Sequence, residues 1–492
     1  MAQRKSPARR AKDGRIACLL QRAAANTPTD SPWPWEALAA LEKAMAGHVV
    51  LPTDADYAKD RQESNPAFQA FPLLIAYCES ENDAKLCVQF AQTWKLWVAV
   101  RCGGHSTAGY SVNTGGMVID LKGLSGVTLD TRAQRVHVLP GTDFDHFNSA
   151  MGATGWHVPT GACGNVCVGG FVQGGGYGYT SRRFGIQSDM VESMRVLLAD
   201  GETIVTASAA EHADLYWALR GGTGGNFGVL LQVTYRMEPL PSVWAWSIGW
   251  DAADAADVLV LLQKDFMRTG APDALGYMMN LGFRDGKPVF MIQGMYCGTA
   301  DAGRAAIAPL LAVPSARLLV DKSGTYPEMN HWLEDHPYEL PQDLPDHVCE
   351  SKSSGYIGRT LTKAQWQAAI DYFVTSPNTY SMFYLEPYGG AIQRYPATDS
   401  AFVHRNVDAD LVADVFWTDA AERERMEAWL AGFMDLMRPF LTGAVYQNYP
   451  DGSLVDYPQA YWGTGTYARL QQVKQAYDPG NFFRFAQSVK LP

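Results

Sequence analysis

Glycine constrains this chain more than any other residue type. Three stretches are dense in it: "WVAVRCGGHSTAGYS" from residue 97, "GACGNVCVGGFVQGGGYGYTSRRFG" from residue 161, and "WALRGGTGGNFGVLLQ" from residue 217. Glycine permits positive φ and lets a ligand approach the backbone closely, so three clusters within about 130 residues predict one large ligand lying along the main chain. Successive turn N–H groups form anion-binding nests suited to a diphosphate. Neither of the two denser clusters fits GxGxxG between a strand and a helix, or GxxxxGK[ST], so the Rossmann and P-loop readings fail on spacing. In the first stretch Trp97 to Val100 reads as a strand, and Arg101-Cys102-Gly103-Gly104 as a tight turn with His105 at its tip. On glycine alone, plain loops and bulges remain an alternative.

At 492 residues, two or more structural domains are expected. Hydrophobic residues make up 47% of the chain, as in an ordinary globular protein. Acidic residues outnumber basic ones, 51 to 40, and the resulting net charge of -11 disfavours nucleic acid or an anionic membrane as the main partner. No run reaches the roughly 18 apolar residues of a membrane span. The basic N-terminus contains Arg9-Arg10 but lacks the apolar core of an export signal. A frayed cytoplasmic tail is therefore expected, with export as the alternative. The eight cysteines are dispersed with no zinc-like spacing, and Cys163 to Cys167 is CxxxC, not a redox CxxC, so no metal is expected.

"SENDAKLCVQFAQTWKL" predicts a helix capped by Ser80 or Asn82. "GGMVIDLKGLSGVTLDTRAQRVHVLPGTDFDHFNSAMGATG" reads as three short strands and a helix. "SMRVLLADGETIVTAS" reads as a hairpin turning at Ala199-Asp200-Gly201, and "LLQVTYRMEPLP" as a strand closed by prolines. After Pro241 the texture changes. "WSIGW", "ALGYMMNLGF", "KPVFMIQGMYCG", "YSMFYLEPYGG" and "LVADVFW" look like antiparallel strands rich in aromatics and Met, separated by amphipathic helices. The fold class is α+β, with a broad antiparallel sheet backed by helices as a substrate domain.

Five ordered motifs together resemble the berberine bridge enzyme-like flavoproteins of the vanillyl-alcohol oxidase superfamily. They are "VRCGGHSTAGYS", "GACGNVCVGGFVQGGGYG", "WALRGGTGGNFGV", "YQNYPDG" and "YDPGNFFRFAQSV", and the likeness runs from about Phe71 to Gln487. The resemblance implies a PCMH-type FAD-binding domain of two α/β subdomains over 68–240, with a tail and the start of that domain over 1–67. It further implies a substrate domain over 241–440 and a C-terminal return over 441–492. It makes FAD the cofactor, with His105 linked to the flavin 8α-methyl and Cys163 to flavin C6. Arg101, Cys102, Gly103, Gly104, His105 and Ser106 would cradle the diphosphate. Val168, Gly169, Gly170, Gly174, Gly175, Gly176, Gly178, Gly225, Asn226, Phe227, Gly228 and Asn481 would also line the FAD site. A neutral imidazole and a thiolate are both competent nucleophiles for such bonds. The sequence departs from the family where relatives commonly carry glycine, at Cys102 and Cys167. Phe171 stands where many relatives have a histidine that holds negative charge near the ring. Cys167 is thereby a rival thiol.

The resemblance places Tyr449 over the flavin as the catalytic base. An unperturbed tyrosine titrates at about 10, so neighbouring positive charge or hydrogen bonding must lower it. Packing on the ring is the alternative. Asp414, in "LVADVFW", falls on the strand where relatives put an acidic helper, and a solvated carboxylate is the alternative there. His404-Arg405 reads as structural. Tyr384, Tyr388, Phe383 and Trp417 could stack on a sugar or phenol, or could be core. The expected function is hydride transfer from a small-molecule alcohol, hemiacetal, phenol or other natural product to FAD, reoxidised by O2. A dehydrogenase using another acceptor and a non-catalytic FAD-binding relative remain open. The oligomeric state is not indicated.

Overall fold

The computed structural model describes residues 7–25, 33–267, 270–335, 344 and 348–492; the side chains of 7–11 and 335 lie outside that description. Three larger sheets organise the chain. The first is four-stranded: Leu74–Tyr77, Met117–Asp120 and Val98–Arg101 run parallel, and His48–Val50 adds an antiparallel edge. The helix Glu81–Thr93 connects two of these strands, and the Ser80 side chain caps it by accepting from the Asp83 N–H at 3.2 Å. The second sheet is a five-stranded antiparallel set in the order 127–130, 135–138, 229–236, 191–197, 204–208. Its expected hairpin is present: Leu197 pairs with Ile204, and Asp200 accepts from the N–H groups of Glu202 and Thr203.

The third sheet has seven antiparallel strands, in the order Arg317–Gly324, Val243–Trp250, Lys287–Tyr296, Leu275–Arg284, Met382–Pro387, Ala409–Trp417, Cys349–Ile357. Side chains alternate across a strand, so one face can differ wholly from the other. Leu281, Ile292, Phe383, Leu385, Ala413 and Val415 pack on one side with Leu259, Trp366, Ile370 and Phe433 of the covering helices. Met278, Asn280, Gln293, Tyr384, Glu386 and Asp414 lie on the other side, lining a cavity against the first two sheets. Two strands escape the apolar pattern. Arg317–Gly324 is a half-exposed edge, and "CESKSSGYI" (349–357) is polar because its alternate residues Glu350 and Lys352 face that cavity.

Two further findings concern the ends. Instead of a frayed tail, Pro7–Ala24 is a helix packed on Trp35–Ala44. Leu19 is buried there, Arg15 pairs with Glu42 at 3.0 Å, and Lys12 donates to the Gly47 carbonyl at 2.9 Å. At the other end, the helix Tyr457–Tyr477 and the segment after it return to the first half. Leu470, Val473 and Val489 join the core of the five-stranded sheet, and Phe483 bridges Val98 in the four-stranded one. Lys474 locks this return. Its buried ammonium donates to the Asn226 carbonyl at 2.6 Å and to Asp478 at 2.7 Å, while Asp478 accepts from Phe482 and Phe483 N–H groups.

Removing one partner of a buried ion pair strands the other charge. Lys474→Ala should therefore destabilise the protein by about 3–5 kcal/mol, read as a lowered urea midpoint. An unchanged midpoint would show that the return segment is held by packing alone.

Candidate active site

The three glycine-rich stretches converge on one cavity of ≈ 970 Å³. At its base the strand Val98–Arg101 ends and the chain turns through Gly104, whose φ of +70° suits glycine. Among the described residues, the N–H groups of Gly103, Gly104, His105 and Ser106 donate to no protein acceptor. Four successive open donors make a nest for a diphosphate. Arg101 itself turns away from the cavity: it pairs with Asp120 and donates to the Asp60 carbonyl at 2.8 Å, bracing the turn from behind. The His105 imidazole is shifted below its ordinary pKa, by burial first and by Lys122 second, which favours the neutral nucleophilic form.

Cys102, Gly103, Gly104, His105, Ser106, Cys163, Gly169, Gly170, Gly178, Gly225 and Gly228 all line the cavity. Cys163 is accessible from within it, and the surrounding protein pushes its thiol up to about 11 by desolvation. The rival Cys167 is buried, and its Sγ donates to the Gly141 carbonyl at 3.4 Å. Other expected residues stand behind the lining. Val168 and Phe227 are core, Gly174, Gly175 and Gly176 form the turn beneath, and Asn226 ties Gly222 to Val489. Asn481 lies on a separate small cleft with Trp97 and Arg484. Phe171 lines the cavity edge-on to Phe144.

The wall contributed by the seven-stranded sheet, together with Tyr449, carries the acid–base groups. Tyr449 donates to Glu386 at 2.9 Å. Lys352 donates to Asp414 at 2.8 Å and to the Tyr384 hydroxyl at 2.9 Å, and its ammonium lies 4.9 Å from the Tyr449 ring centroid. Burial pushes the Glu386 carboxyl up to about 7, only partly offset by the Tyr449 hydrogen bond. Asp414 is likewise raised to about 7 by burial against the pull of Lys352. Burial opposes the Lys352 charge, yet Asp414 and Glu350 hold its ammonium well above the ordinary lysine value. Tyr449 departs from expectation: burial and the Glu386 charge push its hydroxyl up, and Lys352 offsets them only in part. Asp414 is 3% exposed, so it is no solvated carboxylate, but it serves Lys352 and not Tyr449. Of the four aromatics, only Tyr384 reaches the cavity; Phe383 and Trp417 are core and Tyr388 stacks on Tyr177. His404 and Arg405 are buried braces, bound to the Tyr461 carbonyl and to Asp189.

The family model described as "FAD binding domain" matches residues 72–207, and "Berberine and berberine like" matches 445–490. The matched domains are those of a berberine bridge enzyme-like FAD-linked oxidoreductase. The chain is 26% identical over 455 residues to the FAD-linked oxidoreductase YgaK of Bacillus subtilis, covering 91% of this chain and 98% of that relative. It is also 26% identical over 479 residues to a carbohydrate oxidase of Microdochium nivale, covering 92% and 95%. The solved wild-type BBE-like 1 of Physcomitrella patens superposes with a TM-score of 0.82 at 24% identity, over 92% and 98% of the two chains. A berberine bridge enzyme-like fold accounts for the cavity, since the open N–H nest, the size of the space and the facing His105 all fit FAD.

Sequence reasoning missed Glu386, Lys352 and Glu350. Within "MFYLEP" (382–387), alternation puts Met382, Tyr384 and Glu386 on one face, and a lone acid among strand hydrophobes was the available signal. Gly104→Ala should cost about 1–2 kcal/mol of left-handed backbone strain. The ratio of flavin to protein absorbance in purified protein should fall accordingly; parental flavin content would show that the turn rearranges freely.

Proposed function

We propose that the protein is an FAD-dependent oxidase of an alcohol or hemiacetal carbon in a carbohydrate-like substrate. The flavin is held through His105 and Cys163, and a Tyr449–Glu386 pair takes the substrate hydroxyl proton. The observation that carries the proposal is the Tyr449-to-Glu386 hydrogen bond of 2.9 Å in the cavity that His105 and Cys163 also line. FAD held there would supply the redox chemistry, accepting a hydride equivalent from the substrate carbon, with dioxygen as the final acceptor and hydrogen peroxide as its product. Tyr449 alone is a poor base, because its hydroxyl is pushed above its ordinary value. Glu386, raised to about 7, is matched to neutral pH. Tyr449 therefore accepts the substrate proton as it passes its own to Glu386. Lys352, fixed by Asp414, stabilises negative charge developing on the ring it faces. Asn280 and Gln293 add amide groups to the same wall, which suits a polyhydroxylated substrate, and the named carbohydrate oxidase of Microdochium nivale supports that class.

Two measurements test this reading. Denatured protein should retain its flavin, and peptide mass spectrometry should find it on both His105 and Cys163; wholly acid-soluble flavin would overturn the attachment. In single-turnover mixing with oligosaccharides, the rate of flavin bleaching should rise with pH through about 7, because Glu386 cannot accept a proton while it holds one. Tyr449→Phe and Glu386→Gln should each slow that step by about 10²–10⁴, and Glu386→Gln should also remove the acid limb. Parental rates in Tyr449→Phe would make that residue packing only.

A further inference from the structure

The helix Tyr326–Asp335 belongs to the substrate-side half of the chain, yet its side chains grip the segment that carries Cys163. Tyr326, Asn330 and Glu334 are spaced i, i+4, i+8, so they rise along one helix face in steps of about 6 Å. Their partners are Thr160, Ala162 and Gly164, alternate residues of the loop that carries Cys163. The Tyr326 hydroxyl lies 3.0 Å from Thr160 Oγ1, Asn330 Nδ2 donates to the Ala162 carbonyl at 2.8 Å, and the Gly164 N–H donates to Glu334 at 3.0 and 3.2 Å. Tyr326 and Asn330 are each 3% exposed. The carbonyl before Cys163 and the amide after it are thus both held by this helix. Gly164 is fixed from the other side as well. Its carbonyl accepts from the Asp145 N–H at 2.9 Å, and a Cβ there would fall 2.1 Å from Asp145 Oδ1.

We infer that Asn330 and Glu334 are positioning residues for the Cys163 thiol, aiming it into the cavity from a helix outside the FAD-binding region. The inference rests on Cys163 as the second flavin anchor. Forming that bond replaces the Cys163 S–H and one ring C–H by a C–S bond. Two protons leave, and the electron pair reduces the ring, from which dioxygen removes it. Bond formation is sensitive to such aim, since misplacing a reacting atom by about 1 Å can cost on the order of 10²-fold in rate. The anchor's efficiency is therefore set by the same helix whose Leu333 and Glu334 line the cavity, which couples attachment to the substrate-side wall.

The test uses the full-length protein and the variants Asn330→Asp, Glu334→Ala and Glu334→Gln, prepared with chelator. The chelator removes any cation held by Asp145, His331 and Glu334, whose ligand atoms lie within 4.8 Å of one another. Mass spectrometry reports the fraction of Cys163 and of His105 peptides carrying flavin in each sample. Asn330→Asp and Glu334→Ala should lower the Cys163 fraction about tenfold and leave the His105 fraction within about twofold. Glu334→Gln keeps an acceptor for the Gly164 N–H and should restore the parental value. Unchanged Cys163 attachment in the first two variants, or equal loss from both anchors, would overturn the inference. If the parent carries flavin on His105 alone, the anchor reading fails, and the aim is then read from alkylation of the free Cys163 by iodoacetamide. That rate should rise about tenfold in Asn330→Asp and Glu334→Ala over the parent and Glu334→Gln, by release of the restraint. Equal rates would overturn the inference in that case too.

Discussion

A sheet face bearing Glu350, Lys352, Tyr384, Glu386 and Asp414 cannot be buried against apolar protein. The desolvation cost of such charges is several kcal/mol each unless they are paired. The seven-stranded sheet meets this constraint in two ways. It pairs what it can, with Lys352 between Asp414 and Glu350, and it turns the remainder toward a cavity. Among the described residues, Glu386 and Asp414 each keep one buried oxygen without a hydrogen-bond partner. Helices cover the other face and take its apolar residues. The separation of the two faces follows from strand alternation, and the position of the site follows from that separation.

The second dependence is on the chain's return. The FAD-binding sheets are completed by residues far along the sequence, Phe483 beside Val98 and Val489 bound to Asn226. Tyr449 precedes the returning helix, so the segment that closes the first core also delivers a hydroxyl to the wall contributed by the third sheet. The cavity and the Tyr449–Glu386 hydrogen bond are thereby assembled from distant parts of one chain.

Much of this was legible in sequence because it rests on local chemistry. The glycine turn before His105, the Ser80 cap, the Asp200-Gly201 hairpin and the aromatic-rich strands are each set by neighbours within a few residues. The parts that escaped depend on contacts distant in sequence. Cys349–Ile357 hides its strand character because its inward residues serve a cavity and not a core. The partner of Tyr449 escaped because Asp414 and Glu386 occupy neighbouring strands, and only the register decides which one reaches the hydroxyl: Met382, not Glu386, is opposite Asp414. The N-terminal helix escaped because it is largely polar and is stabilised by docking onto Trp35–Ala44.

The register Lys352 opposite Asp414, beside Met382 opposite Asp414, puts three adjacent strands in step at one level of the wall. A one-residue slip of any of them would turn its polar set toward the helix-packed core and its apolar set toward the cavity. Length changes are therefore barred in these strands, whereas exchanges at alternate positions leave the hydrophobic face untouched. The wall is a coupled polar layer on a fixed frame, over which the selectivity of such a catalyst can drift between substrates without the fold being renegotiated.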